Sequence, residues 1–188
     1  MNERFKSLIK PMIFAAAIIF ALCCLVIKKP EKLDDYTSYV GYAVTGVGIL
    51  FFLYERFLWR WIPWNRPPIL RKKYNGVLKY KYKDEESKPI EIEVKQTWSS
   101  VIVNTKTDIN SSYSVTGSIV EEHDDVNVLY YTYYTDPTSA TRKNNPIQYG
   151  TCRIILDKKN EKISGTYWTS NKSIGDIEWT AAENDRSH

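Results

Sequence analysis

Two long apolar stretches occupy much of the first 58 residues, each flanked by basic side chains, and almost everything after them alternates as strands do. The first runs from Pro11 to Ile27; with Leu8 and Ile9 ahead of the lone Lys10, it approaches the roughly 20 residues that cross a hydrocarbon core. A removable leader would pass through small residues into a polar mature chain, whereas here Lys28, Lys29 and Pro30 lead to a second apolar run. That run, Tyr39 to Leu58, carries no charge before Glu55 and Arg56. Trp59, Trp61 and Trp64 follow it, and rings that are part apolar and part hydrogen-bonding suit the headgroup layer. The pattern predicts two transmembrane helices, at about 11–27 and 39–58, in a membrane anchor of residues 1–68.

Basic residues near the spans set orientation. Arg4, Lys6 and Lys10 precede the first, and Arg56, Arg60, Arg66, Arg71, Lys72 and Lys73 follow the second, against Lys28, Lys29 and Lys32 between them. The positive-inside rule then puts the N-terminus and the distal domain in the cytoplasm. Nine of the 26 basic and five of the 22 acidic residues fall within residues 1–70, which leaves 17 of each beyond. The distal part is therefore formally neutral, without the basic excess that a groove for polymeric nucleic acid needs, and the net charge of +4 lies beside the membrane, where it can meet anionic lipid. Cys23, Cys24 and Cys152 are too few for a disulfide framework and read as apolar filler.

From Tyr74 onward eight strand-like segments follow: 74–83, 90–98, 101–106, 112–121, 126–134, 148–156, 163–169 and 175–180. In 90–98, Ile90, Ile92, Val94 and Trp98 face one way and Glu91, Glu93 and Lys95 the other. Short polar connections join them as hairpins do. One apolar and one charged face on about eight strands predict an up-and-down antiparallel β-barrel over residues 69–182, with 183–188 as a disordered tail; a sandwich is the competing arrangement. A barrel of this size is filled by side chains or holds one small ligand.

Charged neighbours placed outside put Tyr80, Tyr82, Trp98, Val128, Tyr130, Tyr134, Tyr167 and Trp179 inside. Phenol rings combine a stacking face with a hydroxyl that needs a partner when buried, which suits a planar polar guest such as a nucleobase, though such residues also fill ordinary strand cores. The longest connection, 136–146, carries Arg142 and Lys143, which can meet phosphate from a flap over one mouth. Ser170 to Ser173 form a smaller set of donors. His123 stands among Glu121, Glu122, Asp124 and Asp125 without the spacing of a metal site. No phosphate-binding loop, nucleophile elbow or pair of helical histidines occurs, so neither catalytic nor metal-binding residues are expected.

Two apolar helices before an eight-stranded barrel, with Tyr74-Asn75-Gly76 opening it, Tyr149-Gly150-Thr151 and Ile154 and Leu156 in the sixth strand, and Gly165-Thr166-Tyr167-Trp168-Thr169 in the seventh, resemble the two-transmembrane, β-strand-rich effector family of bacterial CBASS anti-phage operons. The resemblance covers nearly the whole chain and rests on architecture more than on short motifs. Where that family leads one to expect an arginine after Thr169, this chain has Ser170-Asn171-Lys172. The resemblance implies a non-enzymatic effector of the inner membrane. Its barrel would bind a cyclic dinucleotide from a companion nucleotidyltransferase, using Tyr80, Trp98, Tyr130, Tyr134, Arg142, Tyr167, Thr169 and Lys172, and no other cofactor. Self-association would follow and the helices would breach the lipid bilayer. Gly41, Thr45 and Gly48 fall on one helical stripe where backbones can approach closely, either between copies or between the two helices of one chain. A tethered carrier of lipid or hydrophobic metabolite predicts an aliphatic cavity instead, and a tethered protein-interaction module predicts none.

Overall fold

The computed structural model describes residues 3–27, 29–62, 66–82, 84–108, 110–122, 126–137 and 146–182. It forms two compact units, Met1–Arg66 and Pro67–His188.

The first unit is a helical pair, α1 (Glu3–Val26) and α2 (Leu33–Arg56), followed by a 3-10 turn at Leu58–Arg60. Both helices are long and apolar enough to cross a membrane. Each begins several residues before its apolar run, because polar first turns extend it. In α2, Asp35 Oδ2 accepts hydrogen bonds from the backbone N–H of Glu31 (3.0 Å) and Lys32 (3.1 Å), groups that a helix start otherwise leaves unpaired. Tyr39, Ala43 and Val47 form the buried face of α2; Phe20 meets Tyr39 edge to face at 6.4 Å, and Ile19 packs over Gly46. Gly41, Thr45 and Gly48 lie on exposed positions, so the helix pair within one chain does not use their stripe. Of the tryptophans read as an interfacial belt, Trp61 is 84% exposed, but Trp59 is completely buried, with the Arg60 guanidinium 5.4 Å from its ring centroid. Trp64 lies outside the described residues.

The second unit is a closed barrel of eight antiparallel strands in chain order, each paired with its neighbours in sequence and β1 with β8. The strands are β1 (Lys73–Tyr82), β2 (Asp84–Gln96), β3 (Val101–Lys106), β4 (Asn110–Glu121), β5 (Asn127–Pro137), β6 (Gln148–Ile155), β7 (Lys162–Thr169) and β8 (Ile174–Ala181). Closure removes both sheet edges and settles the choice between barrel and sandwich. The charged segment after Lys83 is strand, not linker: β1 and β2 form one long hairpin whose last rung is Tyr82 opposite Asp84. Tyr74, Ile92, Val94, Leu129, Ile154 and Trp179 fill the end where β1 begins, hereafter the closed end. At the β3–β4 seam three rungs form among the described residues; the Ser114 hydroxyl accepts the Val103 N–H at 2.8 Å, and a register shift follows between Ser114 and Thr116.

Strand β5 inverts one sequence expectation. Leu129 and Tyr131 are in the core with Tyr133 packed against it, whereas Tyr130 and Tyr134 point outward. The Tyr130 hydroxyl donates to Glu122 and accepts from Arg153 Nε at 3.0 Å, and Arg153 pairs with Glu122 at 2.5 Å. Tyr134 lies against Tyr113 on the outer wall, ring centroids 5.6 Å apart. Val128 shares their parity, although it is fully buried. A strand with apolar or aromatic side chains on both parities does not fix its own phase, and a one-residue slip exchanges the faces. Its neighbour does fix it: Arg153 is held outside and faces Tyr130, while Cys152 is inside and faces Tyr131. Trp98 is buried as expected, but in the β2–β3 turn at the closed end.

Candidate functional site

At the other end, the inward files of side chains change character. Along β3 the inward series runs Val101, Val103, Thr105, Thr107; along β5 Leu129, Tyr131, Tyr133, Thr135; along β6 Ile154, Cys152, Gly150, Gln148; along β7 Ile163, Gly165, Tyr167, Thr169. Apolar side chains pack the closed end, and hydroxyls and amides occupy the open end because water or a guest can satisfy them there.

The result is a cavity of about 400 Å³, to which all eight strands or their adjoining turns contribute. Leu78, Ile90, Val103 and Ile177 make an apolar floor. Tyr131, Tyr133 and Tyr167 stand on the wall of β5 and β7, and Thr105, Thr107, Asn110, Ser112, Thr135, Gln148, Thr169 and Ser173 ring the mouth. Some of that ring is already organised. Ser112 and Thr135 share a hydroxyl hydrogen bond at 2.9 Å, and the Thr169 hydroxyl accepts the Ser173 N–H at 3.3 Å. Lys88, from the β1–β2 hairpin, is the one cation among the described lining residues.

Two glycines position the phenols. A Cβ on Gly150 would fall 2.5 Å from the Tyr133 hydroxyl and 2.8 Å from its ring edge; a Cβ on Gly175 would fall 2.8 Å from the Tyr167 hydroxyl. Each tyrosine therefore lies flat across a neighbouring strand where only glycine leaves room. Burial holds these groups neutral: the Tyr131 and Tyr133 phenols are raised well above their ordinary range, and the Cys152 thiol is raised to about 12, against the opposing effect of its hydrogen bond with Tyr131. The wall thus offers ring faces and neutral hydroxyls beside the positive charge of Lys88, which is chemistry for holding a planar, polar, anionic guest.

Of the residues singled out from sequence, Tyr167 and Thr169 line this cavity. Tyr130, Tyr134 and Trp98 do not, for the reasons of phase and position above. Lys172 is exposed in the β7–β8 turn with φ of 62° and is outside the lining, flanked by Thr169 and Ser173, which are part of it. The Tyr80 side chain, Arg142 and His123 lie outside the described residues. Lys88, Tyr131, Tyr133, Asn110 and Gln148 line the cavity without standing among the candidate residues read from the sequence. The polar drift of each inward file toward one end was the available signal, readable only once strand phase is known.

The family model described as Cap15, cyclic dinucleotide receptor domain, matches residues 66–181, which contain every strand of the barrel. A Staphylococcus schleiferi protein named CD-NTase-associated protein 15 is 33% identical over 180 residues, 94% of this chain and 97% of its own. One match spans the barrel and the other spans helices and barrel together, so the chain belongs to the Cap15 family, CBASS effectors that join two apolar helices to a β-barrel receptor domain.

Proposed function

We propose that the barrel takes a cyclic dinucleotide into its open-end cavity and that occupancy drives the helices to associate in the inner membrane and breach it. The observation that carries the reading is the cavity itself: about 400 Å³, with three phenols, a hydroxyl and amide mouth and one lysine, inside a domain that matches a cyclic dinucleotide receptor. Its volume falls within the roughly 300–1,000 Å³ of small-molecule sites. A fully packed interaction module would have no such space, and a lipid carrier would line it with aliphatic side chains.

In this reading the bases lie against Tyr131, Tyr133 and Tyr167, Asn110 and Gln148 meet base edges, and Lys88 meets a phosphate, with Arg142, Lys143 and Lys172 close to the mouth in sequence. The receptor does no chemistry on its ligand; a companion nucleotidyltransferase supplies it. Positive residues after α2 hold the barrel in the cytoplasm. Two surfaces support self-association. Exposed Tyr113, Val115, Tyr134, Tyr149, Trp168 and Ile174 form an aromatic and aliphatic outer wall on β4 to β8. On α2, Gly41, Thr45 and Gly48 face away from the buried Tyr39, Ala43 and Val47, and a Cβ on either glycine would meet nothing within 4 Å. Small residues left open in this way let a second copy approach closely in lipid.

The test is a titration of the full chain in lipid nanodiscs with cyclic di-AMP, cyclic di-GMP, cyclic GMP-AMP and cyclic di-UMP, alongside dye release from liposomes that carry it. Saturable binding of at least one, with release at the same concentrations, is expected. Binding of none, or release that ignores the ligand that binds, overturns the proposal.

A further inference from the structure

The segment joining the second apolar helix to the barrel is strapped to the closed end. Pro67 is fully buried and Leu70 is 5% exposed. Successive backbone groups of this segment are held by the barrel. Gln96 Nε2 donates to the Pro68 carbonyl (2.8 Å) and Gln96 Oε1 accepts from Leu70 N–H (2.9 Å), while Asn160 Nδ2 donates to the Ile69 carbonyl (3.0 Å). The Tyr74 hydroxyl accepts from Arg71 N–H (2.9 Å) and donates to the Asn160 carbonyl (3.0 Å); Val94 N–H donates to the Lys72 carbonyl (2.8 Å). Asn160 is itself buried and adopts φ of 53°, a left-handed conformation that fixes the β6–β7 turn against the strap.

From that latch a line of rings crosses the barrel to the cavity. Tyr74 touches Trp179 (centroids 5.5 Å apart), Trp179 touches Tyr131 (6.2 Å), and Tyr131 touches Tyr133 (5.9 Å), the last two being cavity walls. Trp179 is buried, and its indole N–H has no acceptor among the described residues, so packing against Tyr74 and Tyr131 positions the ring. Close-packed interiors transmit displacement because they barely compress. The Arg71 N–H bond to the Tyr74 hydroxyl stands at the usual N–H···O length and the bond from that hydroxyl to the Asn160 carbonyl at the long limit of the O–H···O range, so a small shift of the ring away from the strap breaks the latch.

Building on the receptor reading, we propose that the Tyr74–Trp179–Tyr131–Tyr133 column couples cavity occupancy to release of the strap at residues 67–72, the last part of the barrel unit before the membrane helices. Coupling is reciprocal: a ligand that loosens the strap binds more tightly when the strap is already loose.

The experiment is hydrogen exchange at the Leu70 and Arg71 amides of the full chain in nanodiscs, with and without whichever of the four cyclic dinucleotides binds, together with the affinity of Tyr74→Phe, which keeps the ring and removes the latch hydroxyl. Ligand should speed exchange of both amides by about fivefold or more, and Tyr74→Phe should bind about fivefold tighter. Gln96→Leu, which loosens the strap without touching the column, should also bind tighter and serves if Tyr74→Phe does not fold. Unchanged or slowed exchange in the saturated wild-type chain overturns the coupling while leaving the receptor reading intact. A wild-type chain that binds none of the four compounds removes the receptor reading and the coupling together.

Discussion

Replacing Lys88 with alanine removes the one positive charge among the described residues of the cavity. Lys88 pairs with Leu78 across the β1–β2 hairpin and is exposed, so it holds little of the core and its loss should leave the fold intact. Two unit charges about 4 Å apart attract by roughly 1 kcal/mol in water and roughly 4 kcal/mol at the effective dielectric near a protein surface. A hydrogen bond to a charged group contributes about 1.5–3 kcal/mol. For a lysine at a wet rim the lower part of that range applies, about 2 kcal/mol, which is roughly thirtyfold in Kd. Isothermal titration of the full chain at two salt concentrations reads both parts of the argument. The wild-type affinity should fall as salt rises, and Lys88→Ala should be weaker at low salt with a flatter salt dependence, since a screened interaction has been deleted. A Kd within twofold of wild type, with the same salt dependence, would show that no ligand phosphate rests against Lys88.

The phase of β5 is tested by a pair of variants: Tyr133→Ala should weaken ligand binding by about tenfold or more through a lost stacking face, whereas Tyr130→Ala should leave Kd unchanged and lower stability by about 1 kcal/mol through lost hydrogen bonds to Glu122 and Arg153. Equal effects of the two on binding would refute the assigned phase. Gly150→Ala should push the Tyr133 ring off the β6 wall and abolish binding, while overpacking costs about 1–3 kcal/mol, measurable by thermal melting with titration on the folded fraction; normal affinity would mean that the ring position is irrelevant. The raised Cys152, Tyr131 and Tyr133 give a pH dependence of definite sign. All three stay protonated in the folded barrel after their unfolded counterparts ionise, so their contribution is complete below about pH 8.5 and is lost as pH rises toward the folded values. Denaturant midpoints should fall through the alkaline range, and Cys152→Ala should reduce the slope by about 1.4 kcal/mol per pH unit between the unfolded thiol value and about 12; an unaltered slope would place the thiol in contact with water.

The architecture was legible because its causes are local. Charge-free runs followed by period-two alternation with polar turns leave few options besides apolar helices and a meander, and neighbouring strands in such a meander pair in order. The site was less legible because it depends on phase. β2 declares its faces through Glu91, Glu93 and Lys95, so the sequence alone points Ile90, Ile92 and Val94 inward, where they are buried. β5 reads Val-Leu-Tyr-Tyr-Thr-Tyr-Tyr and declares nothing, and its inward face is set by pairing with β6, a nonlocal fact. Gly150 and Gly175 carried more information than they showed, since their meaning lies in the tyrosines laid across them from other strands. Lys88 reads in the sequence as part of a charged connection, because the hairpin that continues β2 back to Asp84 raises no apolar signal.

The most direct test is a crystal or cryo-electron microscopy structure of the full chain with the bound cyclic dinucleotide. The account predicts density within the open end of each barrel, with a base against Tyr133 or Tyr167 and a phosphate within hydrogen-bond reach of Lys88. Density lodged only between neighbouring barrels, with the interior cavity empty of ligand, would contradict it.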